Sequence, residues 1–176
     1  MAYDISILIR RAKGGDAEAF GTLYESVARD LYRFALYSLG SEVHARDAVQ
    51  EAVLAAFRNI ASLRSDDAFR PWLFRILRNA CRKAARQGYG NAISLEEQFI
   101  EAAANDPPLG RALELRQAIA ALPDNAREIV LMHVLEGYDS REIARMLGCA
   151  PGTVRSRLSR AMATLRKELD EHEEIN

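Results

Sequence analysis

Arginine and serine side chains recur along residues 149–161, which read CAPGTVRSRLSRA and include no acidic residue. An arginine can donate two hydrogen bonds to O6 and N7 of guanine, and a serine can bind a base edge or a phosphate. The chain as a whole carries 24 basic and 25 acidic residues, so this basic cluster is a local feature. These residue types favour an anionic ligand, with nucleic acid as the first candidate.

A helix would present this cluster on one side. Pro151 is suited to the first helical position, where its missing N–H is not needed. An apolar stripe about 100° wide then starts at Val154 and ends at Leu169. The side chains that we predict to contact DNA are Thr153, Arg155, Ser156, Arg157, Ser159 and Arg160.

The residues before this helix predict a second, shorter helix joined to it by a tight turn. Asp139 and Glu142 have the spacing of a capping box, with Asp in place of the usual Ser or Thr. Gly137 is suited to end the preceding helix, and Gly148 to end this one. Two helices joined by residues 148–150 match a helix-turn-helix, in which the second helix enters the major groove. An ordinary helical hairpin with a solvated arginine face is the alternative that these residues leave open.

A second basic segment without acids covers residues 70–86. It predicts a helix with a buried apolar face. Its exposed basic stripe would consist of Arg75, Arg78, Arg82 and Arg86. Trp72 falls at the edge of this stripe near Asn79, where an indole ring could stack on an unpaired base between cations. A tryptophan at this position could equally well belong to the core.

The helix predicted over residues 44–60 has an outward face of mixed character. This face carries Asp47, Gln50, Glu51 and Leu54. An exposed leucine among polar side chains indicates a docking patch for another protein. An ordinary solvated face has the same composition and remains the alternative.

Helical periodicity and the lack of alternating Val/Ile/Thr-rich segments predict an all-α fold. The periodicity extends through residues 5–87, with one long helix expected over residues 16–39, and it resumes at residue 109. The segment between is rich in glycine and proline and has an acidic bias, which is typical of a linker. We therefore predict a helical domain at 1–88, a flexible linker at 89–110 and a helix-turn-helix domain at 111–176.

Several classes of protein are disfavoured by what the sequence lacks. No apolar run approaches the ~20 residues of a membrane span, and the N-terminus has no secretory layout, so we expect a cytoplasmic protein without membrane insertion of its own. Cys81 is expected in the core and Cys149 in a turn, with redox sensing as a minor alternative. We expect no metal, no cofactor and no enzymatic activity, since neither ligand spacing nor a nucleophile–base pair occurs.

Four segments taken in order resemble a known family. They read DAEAFGTLYESVARDLYRFA, RDAVQEAVLAAFRNI, FRPWLFRILRNACRK and ALPDNAREIVLMHVLEGYDSREIARMLGCAPGTVRSRLSRA. Together they look like a bacterial RNA polymerase sigma factor of the sigma-70 family, and more narrowly of the extracytoplasmic function (ECF) group. The resemblance covers residues 5–169.

The resemblance implies partners and residue roles. The partners would be core RNA polymerase, through its β′ and β subunits, promoter DNA and an anti-sigma factor. Residues that match the surface docking on the β′ clamp helices are Asp47, Gln50, Glu51 and Leu54. Residues that match the region capturing the melted minus-ten strand are Ser62, Arg64, Ser65, Trp72, Arg75, Arg78, Asn79 and Arg82. The arginines and serines of residues 153–160 match the helix that reads the minus-thirty-five element.

Two rival classes remain open at this stage. A free-standing helix-turn-helix regulator would bind its site without polymerase. A sigma-like mimic would sequester partners without initiating transcription.

Overall fold

The computed structural model describes residues 4–89 and 109–173, with the backbone alone at 89, 109–113 and 171–173. In these ranges every regular element is helical, which confirms the predicted all-α class. The chain divides into two compact units, Met1–Tyr89 and Gly90–Asn176. None of the helices in the described ranges combines the length and the apolarity needed to cross a bilayer.

The N-terminal unit contains five α-helices and short helical turns. They are α1 (Ile5–Lys13), α2 (Ala17–Glu25), α3 (Ala28–Leu39), α4 (Glu42–Asn59), two 3-10 turns (Ile60–Ser62 and Asp66–Ala68), α5 (Phe69–Ala84) and a closing π turn (Ala85–Tyr89). Side chains of Asp4, Asp16 and Ser41 accept backbone N–H groups at the starts of α1, α2 and α4. These caps satisfy N–H groups that a helix leaves without internal partners.

The single helix predicted over residues 16–39 is wrong, because the chain breaks between α2 and α3. Ser26 Oγ donates to the carbonyl of Leu23 at 2.6 Å, which offers that carbonyl an alternative to continued helix. Val27 then leaves the helical conformation with φ −128° and ψ −1°, and its side chain is buried. The apolar periodicity continues across the break because both helices bury one face in the same core.

The core of this unit lies between α4 and the neighbouring α3 and α5. The rings of Phe34 and Phe74 meet edge-on at 5.9 Å, and those of Phe20 and Phe57 lie 5.1 Å apart. Such aromatic pairs stabilise a core beyond the area they bury. The start of α5 is tied to α3 because Arg70 Nη2 lies 2.8 Å from Asp30 Oδ2.

The C-terminal unit contains α6 (Leu109–Ala121), α7 (Asp124–Val134), α8 (Ser140–Leu147) and α9 (Pro151–Glu173). Helix α9 packs against the other three, with Val154 fully buried. Helix α6 begins inside the segment predicted as linker. Residues 90–108 of that predicted linker lie outside the described residues.

A buried arginine connects α6 to α7. The Arg127 guanidinium donates to the carbonyls of Ile119, Ala120 and Leu122, at the end of α6. Carbonyls at the end of a helix have no partner within it, so the cation satisfies these, supplementing the Leu122 N–H that donates to the Ile119 carbonyl at 3.2 Å, and it also offsets the negative end of the helix dipole. The interaction explains how a charged side chain is tolerated in the core.

Candidate nucleic-acid interface

The predicted capping box of α8 is present. Asp139 Oδ1 accepts the N–H groups of Arg141 at 2.7 Å and Glu142 at 2.8 Å, while Glu142 Oε2 accepts the Asp139 N–H at 2.8 Å. The backbone hydrogen bond from Glu142, followed by that from Arg141, holds the pKa of the Asp139 carboxyl below its usual value. The first helix of the helix-turn-helix therefore has a well-defined start.

The turn between α8 and α9 depends on one glycine. Gly148 has φ +66°, a left-handed conformation that other residues adopt at a cost. The Cys149 N–H then donates to the carbonyl of Ala144 at 3.0 Å, which closes the end of α8. Pro151 begins α9 as predicted, so a turn of three residues sets the angle between the two helices.

Most of the α9 side chains predicted to contact DNA are exposed to solvent. Arg155, Ser156, Ser159 and Arg160 are exposed, whereas Thr153 and Arg157 are half-buried. The opposite side packs inward through Val154, Ala161 and Leu165. The helix can therefore present four polar side chains to a groove without disturbing the core.

The side chains of Arg160 and Ser156 are hydrogen-bonded to each other. Arg160 Nη2 donates to Ser156 Oγ at 3.0 Å, and Arg160 Nε donates to the Ser156 carbonyl at 3.2 Å. The guanidinium therefore lies along the helix toward its N-terminus, the end that enters the major groove in helix-turn-helix proteins. Its remaining N–H groups are available to an external acceptor in this orientation.

Three of the residues predicted to capture the strand lie from the end of the first 3-10 turn of the N-terminal unit to the position just before the second. Ser62, Arg64 and Ser65 are exposed, while Leu63 between them is buried. The Leu63 carbonyl accepts a hydrogen bond from Lys13 Nζ at 2.8 Å. Lys13 was not among the predicted site residues, because a contact across 50 positions leaves no periodic signal in the sequence.

The side chains predicted to form the exposed basic stripe of α5 are not all exposed. Arg75, Asn79 and Arg82 are exposed and Arg78 is half-buried. Trp72 is 9% exposed, and its ring lies 6.4 Å from that of Phe69. A base-stacking platform needs an open ring face, so of the two interpretations of Trp72 the structure favours a core tryptophan.

The outward face of α4 is exposed and longer than predicted. Asp47, Gln50 and Glu51 are exposed, and Leu54 is 48% exposed. Val43, 65% exposed, lies four residues before Asp47 and therefore on the same side of the helix. Sequence reasoning missed Val43 because it placed the start of the helix at residue 44, although Ser41 is a visible N-cap signal.

The two cysteines occupy the predicted environments. Cys81 is buried in the core and Cys149 is half-buried in the turn before α9, and both are thiols outside any disulfide. Within residues 4–89 and 109–173, His, Cys, Asp and Glu side chains form no cluster of three that could hold a metal ion.

Comparison with known proteins agrees with this geometry. The family model described as Sigma-70 region 2 matches residues 23–89, and that described as Sigma-70, region 4 matches residues 112–165. The chain is 36% identical over 155 residues to the ECF RNA polymerase sigma factor SigM of Mycobacterium tuberculosis, covering 88% of this chain and 79% of the relative. It is 33% identical over 174 aligned positions to the ECF RNA polymerase sigma-E factor of Escherichia coli, covering 88% of each.

Two solved structures have the same fold. One is CnrH in complex with the cytosolic domain of CnrY, with a TM-score of 0.74 and 27% identity over 94% of this chain and 96% of that one. The other is the sigma factor RpoE in complex with the anti-sigma factor NepR from Bartonella quintana, with a TM-score of 0.73 and 26% identity over 88% and 98%.

The two helical units with a helix-turn-helix in the second, together with these matches, define a bacterial transcription initiation factor of the sigma-70 type. The chain belongs to the ECF group of RNA polymerase sigma factors, which direct core RNA polymerase to specific promoters.

Proposed function

We propose that α9 reads the minus-thirty-five element of the promoter in the major groove. The observation that carries this proposal is the exposed set of Arg155, Ser156, Ser159 and Arg160 on a helix whose opposite side is buried. Arginine and serine are the side chains suited to guanine edges and phosphates, and one good bidentate arginine contact is worth roughly 1–3 kcal/mol of discrimination. Thr153 and Arg157, which are half-buried, would contact the DNA backbone beside these four.

The N-terminal unit would perform two tasks with two surfaces. The exposed face of α4, extended to Val43, would dock on the β′ subunit of core polymerase through apolar ends and a polar centre. The loop at residues 62–65 would capture bases of the melted minus-ten strand, and the exposed side chains of α5 would contact its phosphates. Those α5 side chains are Arg75, Asn79 and Arg82, with Arg78 beside them.

An energetic comparison explains why the protein would act only with polymerase. Opening about ten base-pair steps at ~1.4 kcal/mol each costs about 14 kcal/mol. Stacking of captured bases returns about 1–3 kcal/mol per base. The remaining free energy must come from the polymerase core, which also performs the chemistry of transcription. The chain would supply promoter selection and strand capture, as an initiation factor rather than an enzyme.

An anti-sigma factor is the further partner that we propose. The structural relative RpoE was solved in complex with the anti-sigma factor NepR, and the fold of this chain is similar over 88% of its length. The exposed face of α4 is a suitable target for such a partner, because covering it would block polymerase docking. A protein with these partners would act in the cytoplasm.

Transcription in vitro from a genomic promoter library tests the proposal. Core polymerase would be used with and without the full-length protein, and transcript starts would be mapped. We expect new starts that share two spaced sequence elements. Core binding without new starts would instead support a sequestering mimic, and a failure to bind core would support a free-standing regulator.

A further inference from the structure

We propose that Lys13 is a positioning residue for the strand-capture loop, which comprises residues 60–65. In this role the lysine would act on DNA through the loop rather than by touching the strand. The inference deepens the proposed function and rests on it, since it assumes that Ser62, Arg64 and Ser65 meet the melted minus-ten strand.

The first observation is the attachment of the loop to α1. Helix α1 packs against α2, against the 3-10 turn Ile60–Ser62 at the start of the loop and against the 3-10 turn Asp66–Ala68 that follows the loop. From its last residue, Lys13 Nζ donates to the Leu63 carbonyl at 2.8 Å in a partly buried hydrogen bond. A hydrogen bond from a charged donor is roughly twice as strong as one between neutral groups. The N-terminal helix therefore holds the centre of the loop.

The second observation is that the bonded carbonyl lies directly before Arg64 in the chain. Leu63 is 4% exposed, and its backbone N–H donates to the Ile60 carbonyl at 3.0 Å. The Leu63 carbonyl belongs to the peptide unit that continues to Arg64, and a peptide unit is planar. Holding this carbonyl therefore sets the plane from which the exposed Arg64 leaves the chain.

The third observation is that α1 is itself firmly placed. Leu8, Ile9 and Ala12 are buried, and Ala12 directly precedes Lys13. The turn after α1 is closed by Arg11 Nη2, which lies 2.8 Å from Asp16 Oδ2. The lysine thus extends from a packed helix end, so its bond can transmit a fixed orientation to the loop.

A set of matched variants of the full-length protein tests the proposal in holoenzyme with core polymerase. Lys13→Met keeps the aliphatic stem and removes the donor, whereas Lys13→Arg keeps a charged donor. Arg10→Met makes the same charge change at an exposed position of the same helix and is the control. The probe is a single-stranded oligonucleotide with the non-template minus-ten sequence, titrated at several salt concentrations.

We expect Lys13→Met to weaken oligonucleotide binding about tenfold, because the loss of a charged hydrogen bond frees the loop. Lys13→Arg should restore most of the affinity, and Arg10→Met should retain it. Binding to core polymerase and to a duplex minus-thirty-five element should be unchanged. The salt dependence of binding should also be unchanged, since no phosphate contact is lost.

Two results would overturn the proposal. Wild-type affinity in Lys13→Met would show that the bond to Leu63 is not needed, and a fall of about 0.7 in the salt slope would show direct phosphate contact. Thermal unfolding of each variant verifies that it is folded. If Lys13→Met is unfolded, Lys13→Ala, which also removes the donor and is compatible with a helix, is compared with wild type by the same criteria. If the wild-type holoenzyme itself does not bind the oligonucleotide, the proposed function fails instead.

Discussion

Lys83 Nζ lies 2.7 Å from Glu51 Oε1, so an ion pair joins α5, at a position beside its basic stripe, to the outward face of α4. The proposed DNA-binding and polymerase-binding surfaces of the N-terminal unit are therefore direct neighbours. Both side chains are more than half exposed, at 58% and 52%. An exposed pair of this kind contributes about 0–1 kcal/mol to stability, so either partner can be recruited by a ligand at little cost.

The ion pair gives an asymmetric prediction. Lys83→Met should leave thermal stability nearly unchanged and should not weaken core binding, because it releases the Glu51 carboxylate. Glu51→Gln should weaken core binding by a fewfold while stability again changes little. Fluorescence anisotropy of labelled protein titrated with core polymerase measures both, with Glu18→Gln of α2 as the exposed control. Equal loss in both variants would mean that the pair itself, rather than Glu51, is recognised.

The apolar ends of the α4 face give a second prediction. Val43→Ser and Leu54→Ser should each weaken core binding about tenfold, since burying such a side chain is worth about 1.5–3 kcal/mol. Ile5→Ser, at a similarly exposed position of α1, should have no effect. Competition for core polymerase against the labelled wild-type protein provides the measurement. A Val43→Ser variant with full affinity would limit the docking surface to residues 47–54.

A third prediction concerns how α9 discriminates bases. Arg155→Ala should reduce the preference for the correct minus-thirty-five sequence by about 1–3 kcal/mol. Ser156→Ala should reduce it less, since Arg160 would lose only one of two bonds that orient it. Arg166→Ala, about three turns after Arg155, should weaken binding to every duplex by the same factor, whatever its sequence. Competition among duplexes with single base changes separates these outcomes, and equal loss on every duplex in Arg155→Ala would indicate a phosphate contact.

The buried arginine of α7 gives a prediction about stability. Arg127→Met should lower the free energy of unfolding of the C-terminal unit by about 2–4 kcal/mol, because three carbonyls around the end of α6 each lose a charged donor and only that of Ile119 keeps a backbone one. Arg141→Met, at an exposed position of α8, should change it little. Urea unfolding followed by hydrogen exchange of peptides from each unit provides the measurement. An equal loss of stability in the N-terminal unit would contradict the role assigned to Arg127 in joining α6 to α7.

The capping box makes the stability of the C-terminal unit depend on pH in the acidic range. The pKa of Asp139 is lowered in the folded state, so its contribution is complete above the unfolded pKa and is lost as pH falls through the folded value. Stability should therefore fall as pH drops through and below the ordinary aspartate pKa of about 3.9, and Asp139→Asn should flatten this dependence because an amide does not titrate. Asp16→Asn is the matched control, because the pKa of the Asp16 carboxyl is also lowered but this residue lies in the N-terminal unit. Hydrogen exchange at several pH values distinguishes the two units.

The elements that sequence reasoning found are those whose signals are local. The capping box of Asp139 and Glu142, the left-handed Gly148 and the start of α9 at Pro151 all depend on residues within a few positions of each other. The polar and apolar sides of α9 follow in the same way from the helical repeat. For this reason the helix-turn-helix and its outward arginines could be predicted before the fold was known.

Contacts between elements distant in the chain were decided only by the tertiary structure. Helical spacing places Trp72 at the edge of the apolar face of α5, but the neighbouring helices determine whether that edge is covered. Helical periodicity likewise continues through the break at Val27, because both flanking helices bury the same core. The bond between Lys13 and Leu63 crosses 50 positions, and no local pattern records it. Sequence alone determined the all-helical class and the charges that the helices carry, since both depend on neighbouring residues. Packing decided which side chains those helices leave exposed.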